Sequence, residues 1–377
     1  MSETGIRTIL AGQSTEKELR SIAEKVLEGE RITRDEGLLL YKRGEPGYLA
    51  VLADHVRERM NGAFAYFNRN IHIEPTNLCI LKCKFCSYYR NEGEEGCWEL
   101  DDDKISRILE PYGPGDITEV HIVSGVHPRW TITEYAGILQ TVRRLRPEVH
   151  IKAYTAVELD FMFRKARLTP EEGFTVLRQA GLDSIPGGGA EILDAGVRKQ
   201  LCPEKISGER WLAVHRAAHL MQVPSNATML YGHLEAYAHR VDHLDRLRTL
   251  QDETGGFNAF IPLKFRRAHN QFSHLKEVSV IEDLKNFAIC RIYLDNFPHI
   301  KAYWPMIGKQ TAAISLAFGV DDLDGTIDDS TRIYSMAGAE DKHPSMNTEE
   351  MVDVIRSAGR IPVERDSLYN PLQKYTA

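Results

Sequence analysis

The 377-residue chain is short of every feature that would take it out of the ordinary globular class. No run approaches the ~20 apolar residues of a membrane span. The opening MSETGIRTILAGQSTEKELR has no basic segment followed by an apolar one, so no secretory leader is expected and the cytoplasm is the expected compartment. Polybasic segments that would hold the protein to an anionic membrane are missing. Lys and Arg number 47 against 54 Asp and Glu, a net charge of −7, which argues against a non-specific nucleic-acid binder. Six cysteines are too few for a disulfide scaffold. Low-complexity stretches, long linkers and solenoid repeats are also absent. What remains, 42% hydrophobic and 27% charged residues, is the composition of a folded globular protein.

Strand-like and helix-like runs alternate along most of the chain. Residues 14–67 read as helices, with Ser14 and Thr33 as N-caps and the last helical stretch around Tyr48–Phe67. Short apolar, β-branched runs then predict strands at Ile71–Pro75, Glu119–Ser124, His150–Thr155, Ser184–Pro186, Ser225–Tyr231, Asn258–Leu263, Ile300–Trp304 and Ser315–Val320. Amphipathic segments such as TEYAGILQTVRRLR and ERWLAVHRAAHLMQ lie between them. Eight such strands predict a parallel α/β sheet closed into a (βα)8 barrel, with a six-stranded partial barrel as the alternative. The expected organisation is a helical extension over 1–67, the barrel over 68–340, and a helix with an irregular tail over 341–377. In such barrels chemistry sits at the C-terminal ends of the strands, which directs attention to residues just after each one.

The strongest signal follows the first predicted strand, in IHIEPTNLCILKCKFCSYYR. Cys79, Cys83 and Cys86 form Cys-x3-Cys-x2-Cys, and three thiolates on one loop can each bind one iron of a cubane cluster. A [4Fe–4S] cluster wants four ligands, and no fourth cysteine lies at usable spacing, so one iron would stay open. A zinc site is the alternative, with His72 the nearest histidine, but no second pair of ligands accompanies it. Tyr88 and Tyr89 could wall such a site from water.

The pattern of Cys79, Cys83, Phe85 and Cys86 resembles the signature of the radical S-adenosylmethionine (SAM) superfamily. The resemblance implies a (βα)n barrel and a [4Fe–4S] cluster whose open iron chelates the amino and carboxylate groups of SAM. It further implies one-electron cleavage of the sulfonium to a 5′-deoxyadenosyl radical, with a flavodoxin or ferredoxin as electron donor. By the same resemblance, Phe85 stands beside the cluster, and Ser124 and Gly125 take the place of the backbone turn that meets the methionine amino group, although the acidic residue usual there is missing. Thr155 and Glu158, after the third strand, fall on the cofactor side. Glu191 would bond the ribose hydroxyls, and Arg210, nineteen positions on, would fork onto the SAM carboxylate, as a guanidinium can.

From about Asn68 to Asn370 the chain resembles the menaquinone futalosine-pathway branch of that superfamily, through HIEPTNLC, HIVSGVHP, IKAYTAVELD, CPEKISGERWL, NATMLYGH, LDNFPHIKAYWP and ERDSLY. The reaction implied is addition of the adenosyl radical to the enol double bond of 3-[(1-carboxyvinyl)oxy]benzoate, with SAM consumed as co-substrate. A sister reaction on the same barrel, in which the radical abstracts hydrogen, and a non-catalytic cluster- or zinc-binding protein are the alternatives. The substrate carries two carboxylates, so cations or donors are expected at strand ends. His127, Tyr231 and His233 are the catalytic candidates, with Lys264, Arg266, Arg267 and Tyr303 as further contacts. Asp322 and Asp324 are expected to anchor a loop at the barrel mouth. Whether the chain forms a homo-oligomer is left open.

Overall fold

The computed structural model describes residues 16–376. Three helices come first: Lys17–Glu28, Arg34–Arg43 and Pro46–Asn61. Ser14 lies outside the described residues, and the first helix begins without a side-chain cap. Thr33 does cap the second, its hydroxyl accepting from Glu36 N while the Glu36 carboxylate bonds back to Thr33 N. The third helix ends at Asn61, where Gly62 turns with φ +58°, and not near Phe67. Phe64–Phe67 already belong to the first strand.

That strand is β1, Phe64–Ile73. It is followed by β2 Glu119–Ile122, β3 His150–Ala153, β4 Ser225–Tyr231, β5 Phe257–Lys264, β6 His299–Ile300 and β7 Asp322–Ile327, with helices between them. All pairings among these strands are parallel, as short strands joined by helical crossovers dictate. The hydrogen bonds form two arcs. One runs β3–β2–β1–β7 and the other β4–β5–β6. Single bridges join them: Lys152 to Ser184, Ile185 to Ser225, and Lys301 to Asp322. Ser184 and Ile185 thus stand in the fourth position of the ring, and β7 on β1 closes it.

The expected α/β barrel is therefore present, with one strand displaced. Ser315–Val320 is not a strand: it begins at the last residue of the helix Lys309–Ser315 and runs into a turn. The eighth ring position is β7, whose Asp322 and Asp324 are buried inside the barrel wall. Apolar character pointed to the wrong segment because these aspartates are neutralised there by Lys301 and Arg365. The tail is also more regular than expected. After the helix Thr348–Ser357, β8 (Ile361–Arg365) runs parallel beside β1, and β9 (Pro371–Lys374) folds back antiparallel on it. Among the described residues no helix is long and apolar enough to cross a membrane.

Candidate active site

A cavity of about 270 Å³ occupies the barrel interior. The period-2 alternation of each strand decides what it sees. His72 on β1, His121 on β2, Lys152 on β3, Asn226 and Thr228 on β4, and Ile261 and Leu263 on β5 all line it. Lys301 and Tyr303 after β6 and Asp324 on β7 complete the wall.

The upper wall is the loop between β1 and the helix Asp102–Leu109. It has little regular structure, so its backbone groups are satisfied one at a time. Leu100 N donates to Pro75 O at 2.8 Å, Arg90 N to Asn77 O at 2.8 Å and Lys84 N to Leu201 O at 2.9 Å. Gly125 N donates to Thr76 O at 2.8 Å, and a Cβ on Gly125 would meet Leu78 O at 2.3 Å. Only glycine lets the turn after β2 seat against this loop. The result brings Cys79, Cys83 and Cys86 onto one wall of the cavity, together with Phe85, Tyr88 and Tyr89. Backbone N–H groups aim at the sulfurs: Leu81 N (3.4 Å) and Val126 N (3.3 Å) donate to Cys79 Sγ, and Tyr88 and Tyr89 donate to Cys86.

Among the described residues no three His, Cys, Asp or Glu side chains converge closely enough to hold one metal ion. Three thiols on one wall suit a polynuclear cluster with one iron per thiolate. The donor set fits the cluster in a second respect. N–H groups directed at sulfur are the usual support for cluster thiolates.

Ser124, Gly125, Thr155, Glu158 and Glu191 also line the cavity. Glu158 is already fully engaged. It closes the capping box of the helix Ala156–Ala166 by accepting from Thr155 N and Oγ1, both at 2.8 Å, and accepts from Ser124 N (3.1 Å) and Oγ (2.9 Å). Burial lifts its carboxyl to about 7. It ties the turn after β2 to the turn after β3. Glu191 sits in the left-handed region at φ +48°, its carboxylate 2.5 Å from Lys205 Nζ. That ammonium also lies 5.2 Å from the centre of the Phe85 ring.

Six of the residues singled out in the sequence lie elsewhere. Arg210 is partly exposed on the helix Gly208–Leu220, with Nε 2.6 Å from Asp160, and is not part of the cavity wall. Tyr231 is on the opposite parity of β4 from Asn226 and Thr228, so it faces the helix Val280–Tyr293 and donates to Asp283 at 2.8 Å. His233 is buried against Glu235 (3.0 Å) and Leu230 O (2.9 Å). His127 stacks on Trp130 at 4.5 Å and meets Glu99 at 3.3 Å. Following a strand in sequence did not bring these side chains inside. Lys264 likewise turns outward to Asp283, and Arg266 bonds Gly338 O.

Of the floor, His72 and Asp324 were named from the sequence for other roles, whereas His121, Lys152 and Lys301 had not been singled out. His72 and His121 are register partners on β1 and β2, with ring centres 4.6 Å apart. Lys152 Nζ lies 2.6 Å from Glu119, and Lys301 Nζ 2.6 Å from Asp324. Burial works to raise both carboxyls, but the facing lysines outweigh it and hold them well below the ordinary range. Burial lowers His72 to about 4, so it is neutral at neutral pH. The second oxygen of Asp324 accepts from Asn70 at 3.1 Å.

Residues 73–247 match the radical SAM superfamily, and residues 254–376 match the CofH/MqnC C-terminal region. The aminodeoxyfutalosine synthase of Thermus thermophilus is 44% identical, over 93% of this chain and 95% of that one. That of Streptomyces coelicolor is 37% identical, over 94% of each. The cyclic dehypoxanthine futalosine synthase of Streptomyces coelicolor is also 37% identical, over 95% of this chain and 90% of that one. Among solved structures, methylornithine synthase superposes with a TM-score of 0.70 at 15% identity, covering 90% of this chain and 95% of its own. The hydrogenase maturase HydG of Carboxydothermus hydrogenoformans gives 0.71 at 16% identity, covering 98% and 86%.

Proposed function

The chain belongs to the radical SAM superfamily, and we propose that it joins the 5′-deoxyadenosyl group of SAM to 3-[(1-carboxyvinyl)oxy]benzoate, as an aminodeoxyfutalosine synthase does. The products are aminofutalosine, methionine and the enolpyruvyl carboxyl group lost as bicarbonate or CO2. One observation carries the reading. The three signature cysteines open onto a single cavity that continues into a polar floor, in a chain 44% identical to a named aminodeoxyfutalosine synthase over nearly its whole length.

Cys79, Cys83 and Cys86 would hold the [4Fe–4S] cluster. Bound there, cluster and SAM supply the one-electron cleavage that delivers the adenosyl group. The remaining tasks fall to side chains of this chain. Phe85, Tyr88 and Tyr89 exclude water from the cysteine wall. The turn Ser124–Gly125, fixed by Glu158 and Thr155, would offer backbone to the methionine amino group. Glu191 would bond the ribose hydroxyls. Lys205 takes over the carboxylate role that Arg210 suggested, because its ammonium lines the cavity beside the cysteines and the Arg210 guanidinium does not. The barrel proper begins with β1 at Phe64, a little before the expected boundary at 68, with the helical segment before it and the tail after it as supports. A flavodoxin or ferredoxin type of reductant completes the system.

The test is product analysis of an anaerobic reaction containing reduced, reconstituted protein, SAM and the enolpyruvyl benzoate. The expected product retains the adenosyl carbons and appears with methionine in equal amount. Free 5′-deoxyadenosine without an adduct would instead indicate hydrogen abstraction, the chemistry of the sister enzymes.

A further inference from the structure

The imidazoles of His72 and His121 line the barrel interior, and the cofactor reading leaves their chemistry unused. Among the described residues, neither ring nitrogen of His72 has a hydrogen-bond partner, and Nε2 of His121 has none. His72 is only 4% exposed, and both residues line the cavity. Buried polar groups of this kind are normally satisfied, so three unpartnered ring nitrogens on residues that line a cavity mark a place where a ligand supplies the missing partner.

The surrounding groups say what kind. Lys152 and Lys301 each carry three N–H donors, and each spends a short bond on one carboxylate. Both oxygens of Asp324 are already taken, by Lys301 and Asn70. Each neutral imidazole adds one N–H donor and one acceptor nitrogen, so the excess of donors comes from the two further N–H groups on each ammonium. What would balance them is an acceptor with several lone pairs. A carboxylate is such a group. The cysteines follow β1 by six residues or more, whereas His72, His121 and Lys152 lie within their strands, so the donors sit deeper than the cofactor wall. Ile261, Leu263 and Tyr303 line the same space and offer an apolar face for an aromatic ring.

We propose that His72 and His121, together with Lys152 and Lys301, form a carboxylate subsite that binds the ring carboxylate of an aryl substrate. This rests on the substrate class of the proposed function. In a benzoate substituted at the 3-position, the ring carboxylate is the end remote from the enol double bond. Anchoring it on the floor leaves that double bond at the cysteine end, where the adenosyl group arrives. The subsite thereby sets both the specificity for a benzoate and the depth at which the acceptor carbon stands.

The experiment is an equilibrium titration of the holoenzyme with SAM present and reductant withheld, so that no turnover occurs. The probes are 3-[(1-carboxyvinyl)oxy]benzoate and its analogue with the ring carboxylate replaced by a carboxamide. The wild type is expected to bind the carboxylate about 10- to 100-fold more tightly. In His72→Phe and in His121→Leu that ratio should collapse to within about twofold of unity, and His121→Gln, which keeps a donor, should recover part of it. SAM affinity serves as the control that the variants are folded. A wild type that binds both probes equally overturns the subsite without any variant. A ratio that survives in folded His72→Phe and His121→Leu also overturns it, and leaves the proposed function standing. A wild type that cleaves SAM on reduction yet binds neither probe overturns the proposed function and the subsite with it.

Discussion

The two ends of the cavity are built on opposite plans. The upper end takes its three thiols from eight consecutive residues, Cys79 to Cys86, on one loop held by individual backbone hydrogen bonds within itself and to neighbouring turns. The lower end takes single residues from β1, β2, β3, the end of β6 and β7, and holds them through buried ion pairs. The first plan lets one stretch of chain carry a cofactor site from barrel to barrel. In the second, residues from separate strands meet in pairs, so the floor changes one ion pair at a time.

Damage at the two ends should therefore register in different observables. Cys83→Ala is expected to have the largest effect. Iron content should fall well below the four atoms per chain of an intact cluster, and SAM cleavage by more than about a thousandfold. Its thermal stability without iron should stay near that of the wild type. A Cys83→Ala protein that retains iron and SAM turnover would remove the cysteine loop from the cofactor site.

At the other end, Lys152→Met leaves Glu119 as a buried, unpaired charge. Unfolding free energy should drop by about 3–5 kcal/mol in denaturant titrations. Adding Glu119→Gln should restore most of that loss, since a pair removed together leaves no stranded charge. A single substitution costing under about 1 kcal/mol would show that the floor is wet and loosely held.

The smallest expected effect separates two cations near the upper end. Lys205→Ala should weaken SAM binding about tenfold, and Arg210→Ala less than about twofold, because only Lys205 lines the cavity. The reverse order would return the carboxylate role to Arg210.

The same contrast explains what could be read before folding. The cysteine motif is contiguous and chemically unusual, so spacing alone exposed it, and Ser124, Gly125, Thr155, Glu158 and Glu191 came with it by resemblance. The alternation of apolar runs and amphipathic helices gave the barrel. Hydrophobicity failed at β7, where Asp322 and Asp324 are interior only because Lys301 and Arg365, from distant parts of the chain, neutralise them. His127, Tyr231 and His233 were chosen for standing at or just after strand ends. Parity was the better guide: Tyr231 is odd where Asn226 and Thr228 face inward, and His72 and Lys152 fall on inward positions of their own strands. No single residue of the floor is distinctive in sequence, so the group becomes visible only when the strands are laid side by side.

The two arcs of the barrel meet where the backbone ladder thins to single bridges. At each meeting a side chain takes over part of the fastening: His150 reaches Ser184 at 2.7 Å, and Lys301 reaches Asp324 at 2.6 Å. The second of these stitches also lines the cavity. One ion pair therefore both fastens the wall and lines its interior.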